Sequence, residues 1–277
     1  SQPLMKPHGG TYVKEPASGP GANRPSPSAP GADPRLAGQV ALVTGGAIRL
    51  GRAIALALAR EGCHVAVAYH RSAGEARTTV SELRRLGVKA AALHTDLSLP
   101  RDAHRLIRET VRNFGRLDLL VNNAGMFVRT PLEQTTPAQW DRLLSVNLKA
   151  PFFCCQAAAR VMRRAGRGRI INIADVGGMR PWPSYLPYCV SKAGLLTLTR
   201  GLALALAPRI QVNCVAPGAV LLPEGSPPAL RERLRREIPM GREGVPEDVA
   251  SAVVFFATCP PYITGQVLCV DGGVTAK

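Results

Sequence analysis

From Leu36 onward, short runs of apolar residues alternate with longer stretches in which apolar positions recur every three or four residues. The short runs predict strands at 39–43 (QVALV), 64–68 (HVAVA), 89–93 (KAAAL), 117–121 (LDLLV), 169–173 (RIINI), 209–215 (RIQVNCV) and 266–270 (QVLCV). The longer stretches predict helices near 50–61, 73–86, 99–114, 137–163, 185–206 and 247–257, with a shorter one near 227–237. The strand runs are apolar throughout rather than alternating, as a parallel sheet covered by helices on both faces requires. Strand and helix in strict turn predict one α/β domain, a doubly wound parallel sheet of about seven strands joined by right-handed crossovers. Ligands of such a sheet sit beyond the carboxyl ends of its strands.

Before the pattern begins the chain is a different material. Residues 1–37 hold eight of the 24 prolines, many Gly and Ser, and almost no large aliphatics. Such a segment cannot bury enough apolar surface to offset its ordering entropy, so 1–37 reads as a disordered tail and 38–277 as the folded domain. A short interaction arm is the alternative for the tail. The 35 Lys and Arg against 19 Asp and Glu give a net charge of +16, which permits phosphate or acidic partners. Only six of the basic residues are Lys, and the Arg are spread through ELRRLG, RVMRRAGRGR and LRERLRREI without interleaved aromatics. That describes a solvated surface, and no nucleic-acid partner is expected. The seven Cys include no C-x-x-C and accompany no His cluster at ligand spacing, so they read as reduced core thiols of a cytoplasmic protein with no metal site. No apolar run approaches the ~18–20 residues of a membrane span, and no signal-like apolar start is present, so neither membrane nor export is expected.

Chemistry enters at the ends of the strands. The first strand runs into TGGAIRLG: Thr44, Gly45, Gly46, Ala47, Ile48, Arg49, Leu50, Gly51. Glycines between a first strand and a first helix let backbone N–H groups and the helix N-terminus approach a pyrophosphate, which makes the sheet Rossmann-type. Arg49 stands where a glycine would complete the usual spacing, and could reach a phosphate or a substrate. The second strand ends in His70, Arg71 and Ser72, with no carboxylate before Glu75. A base here accommodates the 2′-phosphate of NADPH, where an acid would take the 2′-hydroxyl of NADH. Ser72 could also cap the following helix. Asp96 ends the third strand and either accepts from an adenine amine or caps the next helix.

The fourth strand runs into VNNAGMF and the fifth into INIADVGG. The helix beyond carries Tyr188 and Lys192, four apart and so on one face. An ammonium beside a phenol stabilises the phenolate, bringing its reference pKa of ~10 nearer to working pH. Tyr188 is therefore a credible general acid for a group that receives hydride.

TGGAIRLG, NNAG (122–125), VNLKAP (146–151), YCVSK (188–192), PGAV (217–220) and YITGQVLCVDGG, in that order, resemble the short-chain dehydrogenase/reductases over about 38–273. The resemblance implies that Tyr188 is the proton donor and that Lys192 holds both Tyr188 and the nicotinamide ribose. It implies that Asn147 orients Lys192 through a water, and that Asn122, Ala124 and Gly125 line the cofactor. It further assigns Thr44, Gly45, Arg49, Leu50, Gly51, His70, Arg71, Ser72, Asp96, Leu97, Pro217 and Gly218 to NADPH/NADP+, and a homotetramer to the assembly.

One departure is informative. The family's usual helper, a Ser thirteen residues before the Tyr, is Asp175 here. An ionised carboxylate cannot donate a hydrogen bond and opposes a developing oxyanion. Asp175 suits instead a substrate with N–H donors, or a C=N nitrogen that must gain a proton. With Arg49, HRS and Phe127, it resembles the pteridine reductase branch, which implies a pterin held between Phe127 and the nicotinamide, with Arg49, Asp175 and Tyr188 against it. Gly125 departs from that branch by lacking a hydroxyl. The variable loop 217–244 is expected to close over the substrate, with Glu224 either meeting it or solvated. Cys189 reads as packing. The expected activity is thus NADPH-dependent reduction of a dihydropterin or dihydrofolate. The alternatives are a 3-oxoacyl-thioester or other ketone reductase, and a non-catalytic NADP(H)-sensing protein.

Overall fold

The computed structural model describes residues 35–222 and 225–277. Seven apolar runs form strands β1 (Val40–Thr44), β2 (His64–Tyr69), β3 (Ala90–His94), β4 (Leu119–Asn122), β5 (Gly168–Ile173), β6 (Ile210–Pro217) and β7 (Val267–Val270). All neighbours pair in parallel, in the order β3-β2-β1-β4-β5-β6-β7. The helices are α1 (Arg49–Arg60), α2 (Ala73–Arg85), α3 (Pro100–Phe114), α4 (Pro137–Leu144), α5 (Ala150–Ala165), α6 (Leu186–Leu206), α7 (Pro228–Glu237) and α8 (Pro246–Thr258).

Strand alternation sends successive residues to opposite faces, so the central strands feed two cores. On one face Val43, Val67 and Val121 pack with Ile54 of α1, Leu83 of α2 and Val253 of α8. On the other, Leu42, Leu120 and Ile170 pack with Leu106 of α3, Met162 of α5 and Leu206 of α6. The chain leaves β1 outward through β2 and β3, then returns to lay β4 on β1's other side. That reversal opens a crevice beyond the carboxyl ends of β1 and β4.

Three expectations need correction. Arg35 and Leu36, assigned to the tail, belong to the fold: Leu36 is buried in the first core, and Arg35 pairs with Glu61 at 2.8 Å. The rest of the expected tail, 1–34, lies outside the described residues, as does Glu224. The single helix expected at 137–163 is interrupted by a π-helical turn at Ser145–Lys149. Its cause is Pro151, which has no N–H to offer the carbonyl of Asn147 four residues back. Finally, α6 is long and apolar enough to span a membrane by length and composition, contrary to the reading that no run approached that length. In the fold Leu195, Leu196 and Ala203 of this helix are core residues.

Candidate active site

Thr44, the last residue of β1, ties the crevice together. Its hydroxyl accepts from the backbone N–H groups of Asn123 and Ala124, both at 3.0 Å. The Asn123 amide in turn donates to the carbonyls of Thr44 and Gly45, at 3.0 and 3.2 Å. A Cβ on Gly51 would lie 2.0 Å from the Gly45 oxygen, so the turn closes only because that position is glycine. The N-cap residue of α1, Ile48, gives it no side-chain cap, which leaves its first-turn amides for an anion. Asn123 is a residue that the sequence reading missed. Asn122, expected to line the cofactor, sends its amide instead to Asn172 at 2.8 Å and Cys155 at 3.2 Å, buried between β4 and α5. The β-strand period aims it into the core.

Arg49 has φ of 50°, the one left-handed non-glycine residue among those described. Its guanidinium donates to the carbonyls of Leu221 and Leu222, at 3.3 and 3.4 Å. Arg49 therefore joins the glycine turn to the start of the variable loop. Leu50 follows it into α1 and packs against the first core.

At the end of β2, His70 faces Asp96 at 3.9 Å. Ser72 is the N-cap residue of α2 but makes no side-chain capping bond. Arg71 is exposed. Asp96 accepts from the Ser98 hydroxyl at 2.7 Å and its N–H at 3.0 Å, and these bonds hold its carboxyl below the usual carboxylate range. These bonds shape the turn that leads to α3, whose own N-cap residue is Leu99. Leu97 packs against the second core. His70, Arg71 and Ser72 offer cationic and neutral donors, a set that fits an anionic nucleotide end.

Across the crevice, beyond β5, the Tyr188 hydroxyl donates to Asp175 Oδ2 at 2.7 Å. Asp175 Oδ1 accepts from the Gly177 N–H at 2.7 Å, capping a short turn at Val176–Gly178. Burial raises the Asp175 carboxyl, opposed by these two bonds and by the Lys192 charge. Lys192, one turn along α6, donates from Nζ to the Ile173 carbonyl at 2.9 Å. Burial lowers its pKa, against the pull of Asp175. The phenol behaves contrary to expectation: burial, then the Asp175 charge and hydrogen bond, push it up. Burial of the ring is the larger cause, and the Asp175 oxygen at 2.7 Å adds to it.

Asn147 sits in the π-helical turn and brackets the loop after β4. Its Oδ1 accepts from the Met126 N–H at 2.8 Å, and its Nδ2 donates to the Met126 carbonyl at 3.0 Å and to the Ser191 hydroxyl at 3.1 Å. Its side chain thus fixes that loop against α6. Ala124 and Gly125 lie on this loop, and a Cβ on Gly125 would stand 3.4 Å from Asn147 Oδ1 and 3.6 Å from Lys192 Nζ. Pro217 ends β6, and Gly218 follows with its N–H on the Val270 carbonyl at 2.9 Å.

Phe127 emerges from the same loop into a group of rings. It stacks on Tyr185 with centroids 4.6 Å apart and meets Tyr188 edge-on at 4.8 Å. Trp182 lies parallel to Tyr188 at 6.3 Å. Trp182 and Tyr185 were missed in the sequence, although both lie within six residues before Tyr188 and could have been noticed as ring-bearing neighbours. Tyr185 covers one face of Phe127.

Comparison with known proteins gives the same picture from another side. The family pattern described as Enoyl-(Acyl carrier protein) reductase matches residues 46–275. A 3-oxoacyl-[acyl-carrier-protein] reductase of Synechocystis sp. is 39% identical over 247 residues, covering 86% of this chain and 98% of that one. A 3beta-hydroxysteroid dehydrogenase 1 of Eggerthella lenta is 38% identical, covering 87% and 95%. The crystal structure of a dehydrogenase/reductase from Sinorhizobium meliloti 1021 superposes with a TM-score of 0.81 at 40% identity, covering 86% and 96%. The names of the relatives overturn the pteridine expectation. They favour the ketone alternative, and Asp175 is not sufficient to mark a pterin site.

Proposed function

The chain belongs to the short-chain dehydrogenase/reductase family of oxidoreductases, which use a nicotinamide cofactor, and from that premise we propose that it reduces a 3-oxoacyl-type ketone to the secondary alcohol with NADPH. The observation that carries the reading is the Tyr188 hydroxyl held on Asp175 at 2.7 Å, with Lys192 one turn away at the carboxyl end of β5. The relatives named for 3-oxoacyl and hydroxysteroid substrates support a ketone and alcohol pair. His70, Arg71 and Ser72 support NADPH over NADH, as donors for the 2′-phosphate. Gly45, Gly51 and the uncapped start of α1 would take the pyrophosphate.

When bound, the nicotinamide supplies hydride to the carbonyl carbon. Tyr188 supplies the proton to the carbonyl oxygen, and Asp175 decides whether it can. An ionised Asp175 keeps the Tyr188 hydrogen bond for itself and sets a negative charge beside the developing alkoxide. A protonated Asp175 reverses the bond, donating to the phenol oxygen and freeing the Tyr188 proton for substrate. Burial, by raising the Asp175 carboxyl, favours this protonated form. Protonated Asp175 thereby acts on Tyr188, whereas the serine usual at this position would donate to the substrate carbonyl.

Seven free thiols, six of them buried, support a cytoplasmic site of action. A homotetramer is supported by an open groove that could seat a further copy of the chain, lined by Leu144 of α4, Leu148 of the π-helical turn, Phe152 of α5 and Leu198 of α6. The test is oxidation of NADPH by purified protein with acetoacetyl thioester, NADH being run alongside. Turnover with NADPH is expected, and its absence at every pH would overturn the proposal.

A further inference from the structure

We propose that the mouth of this site is a ring cage, selecting a ketone whose carbonyl carbon lies in, or is bonded to, a flat apolar ring over one in a linear acyl chain. The inference rests on the ketone reading and specifies its substrate class. Three rings converge on the reacting phenol from two separate loops. Phe127 and Trp182 meet Tyr188 edge-on at 4.8 Å and in parallel at 6.3 Å, and Tyr185 backs Phe127 at 4.6 Å. Trp182 also meets Tyr185 edge-on at 6.1 Å, so the four rings form one array. Even so, Phe127 remains 48% exposed and Trp182 36%. These two rings keep uncovered surface beside a buried proton donor.

The cage is held in place before any substrate arrives. The two loops are joined where the Thr130 N–H donates to the Ser184 carbonyl at 2.7 Å. The Trp182 N–H is held by Cys189 Sγ at 3.3 Å. The indole lies over Gly177, where a Cβ would come within 3.0 Å of it, so the glycine makes the space that the ring fills. Fixed aromatic surface favours a rigid planar ligand: a ring stacks without freezing rotors, whereas a linear chain must order each of its bonds.

The experiment compares benzoylacetyl and acetoacetyl thioesters of one small thiol, which differ only in the ring. The kcat/KM ratio is expected to favour the ring by about tenfold, the scale of one or two aromatic contacts. It should fall toward one in the F127A/W182A double variant and persist in Trp182→Phe, which keeps a ring. A ratio at or below one in the unaltered protein would overturn the cage and leave the ketone reading intact. No NADPH oxidation with either thioester would instead overturn the ketone reading. The cage is then judged by fluorescence of Trp140→Phe, in which Trp182 is the one tryptophan left of the two in the chain. If the benzoylacetyl thioester does not change that emission at lower concentration than the acetoacetyl one, the cage fails as well.

Discussion

Replacing Asp175 by serine restores the neutral donor usual in this family and makes a prediction that can be worked from the geometry. Asp175 Oδ2 is 2.7 Å from the Tyr188 oxygen. A substrate oxygen taking the same phenol's proton would sit roughly 4–5 Å from Oδ2, given ordinary hydrogen-bond lengths and angles. At that separation and an effective dielectric near 20, a carboxylate opposes a full oxyanion by about 4 kcal/mol. Loss of a donor from an oxyanion site costs a comparable ~10²–10³ in rate. Wild-type kcat/KM is therefore expected to fall about tenfold per pH unit above the raised Asp175 pKa, levelling about a hundred- to a thousandfold lower. D175S should lack this fall, matching wild type in acid and exceeding it at least about tenfold in mild base. The assay is the initial rate of NADPH oxidation across pH at subsaturating ketone, corrected for acid decay of NADPH. Parallel profiles for the two proteins, or a wild type faster than D175S throughout, would refute the protonated-acid role.

Tyr188→Phe should reduce turnover by about 10²–10⁴ while leaving NADPH affinity, read by fluorescence titration, within a few-fold. Arg49→Gly should raise the melting temperature by about 2–4 °C in calorimetry, because it relieves roughly 1 kcal/mol of left-handed strain at the cost of two exposed hydrogen bonds. Arg71→Glu should raise KM for NADPH by about tenfold or more and leave KM for NADH nearly unchanged, if the end of β2 takes the 2′-phosphate. Asp175→Asn tests the linkage directly. Burial raises the folded-state pKa of Asp175, so its stabilising contribution is complete below the unfolded value of about 4 and is lost as pH rises through the folded one. The Asn variant should thus gain on wild type in denaturant melts from acid toward neutral pH, by about 1.4 kcal/mol per unit separating the two values.

The sheet was legible because its information is local. Runs such as QVALV are apolar without alternation, and each is followed by a turn and a helical period, so seven strands and their order of appearance follow from the chain alone. Tyr188 and Lys192 were legible as residues because the period of α6 fixes their spacing, and Asp175 because the family resemblance puts a Ser thirteen residues before the Tyr. Their charge states were not. Tyr188 is pushed up first by burial and then by Asp175 at 2.7 Å, and both are set by how α6 packs on the turn after β5. Asn122 shows the same limit: NNAG names two amides in succession, and only the pleat decides that Asn123 faces the crevice while Asn122 is spent on Asn172. The π-helical turn at Asn147 was readable in principle from Pro151, by the loss of one N–H donor. The ring cage joins residues 127, 182 and 185 through tertiary contact, which no short motif records.

Asp175 also bears on the alkaline side of the same profile. Its charge raises the pKa of both its neighbours, Tyr188 chiefly through burial and then this charge, and Lys192 by opposing the lowering that burial imposes. Removing the carboxylate leaves the phenol without its acceptor and the ammonium without its counter-charge. Both then lose protons more readily. The alkaline limb of D175S should move to lower pH, whichever of the two groups carries it, because both shifts have one sign. Asp175→Asn keeps an acceptor for the Tyr188 proton but no charge, so it should move the limb less than serine if the hydrogen bond matters, and equally if charge alone does. An alkaline limb that stays fixed in both variants would mean that the three groups titrate independently, against the 2.7 Å contact that joins two of them.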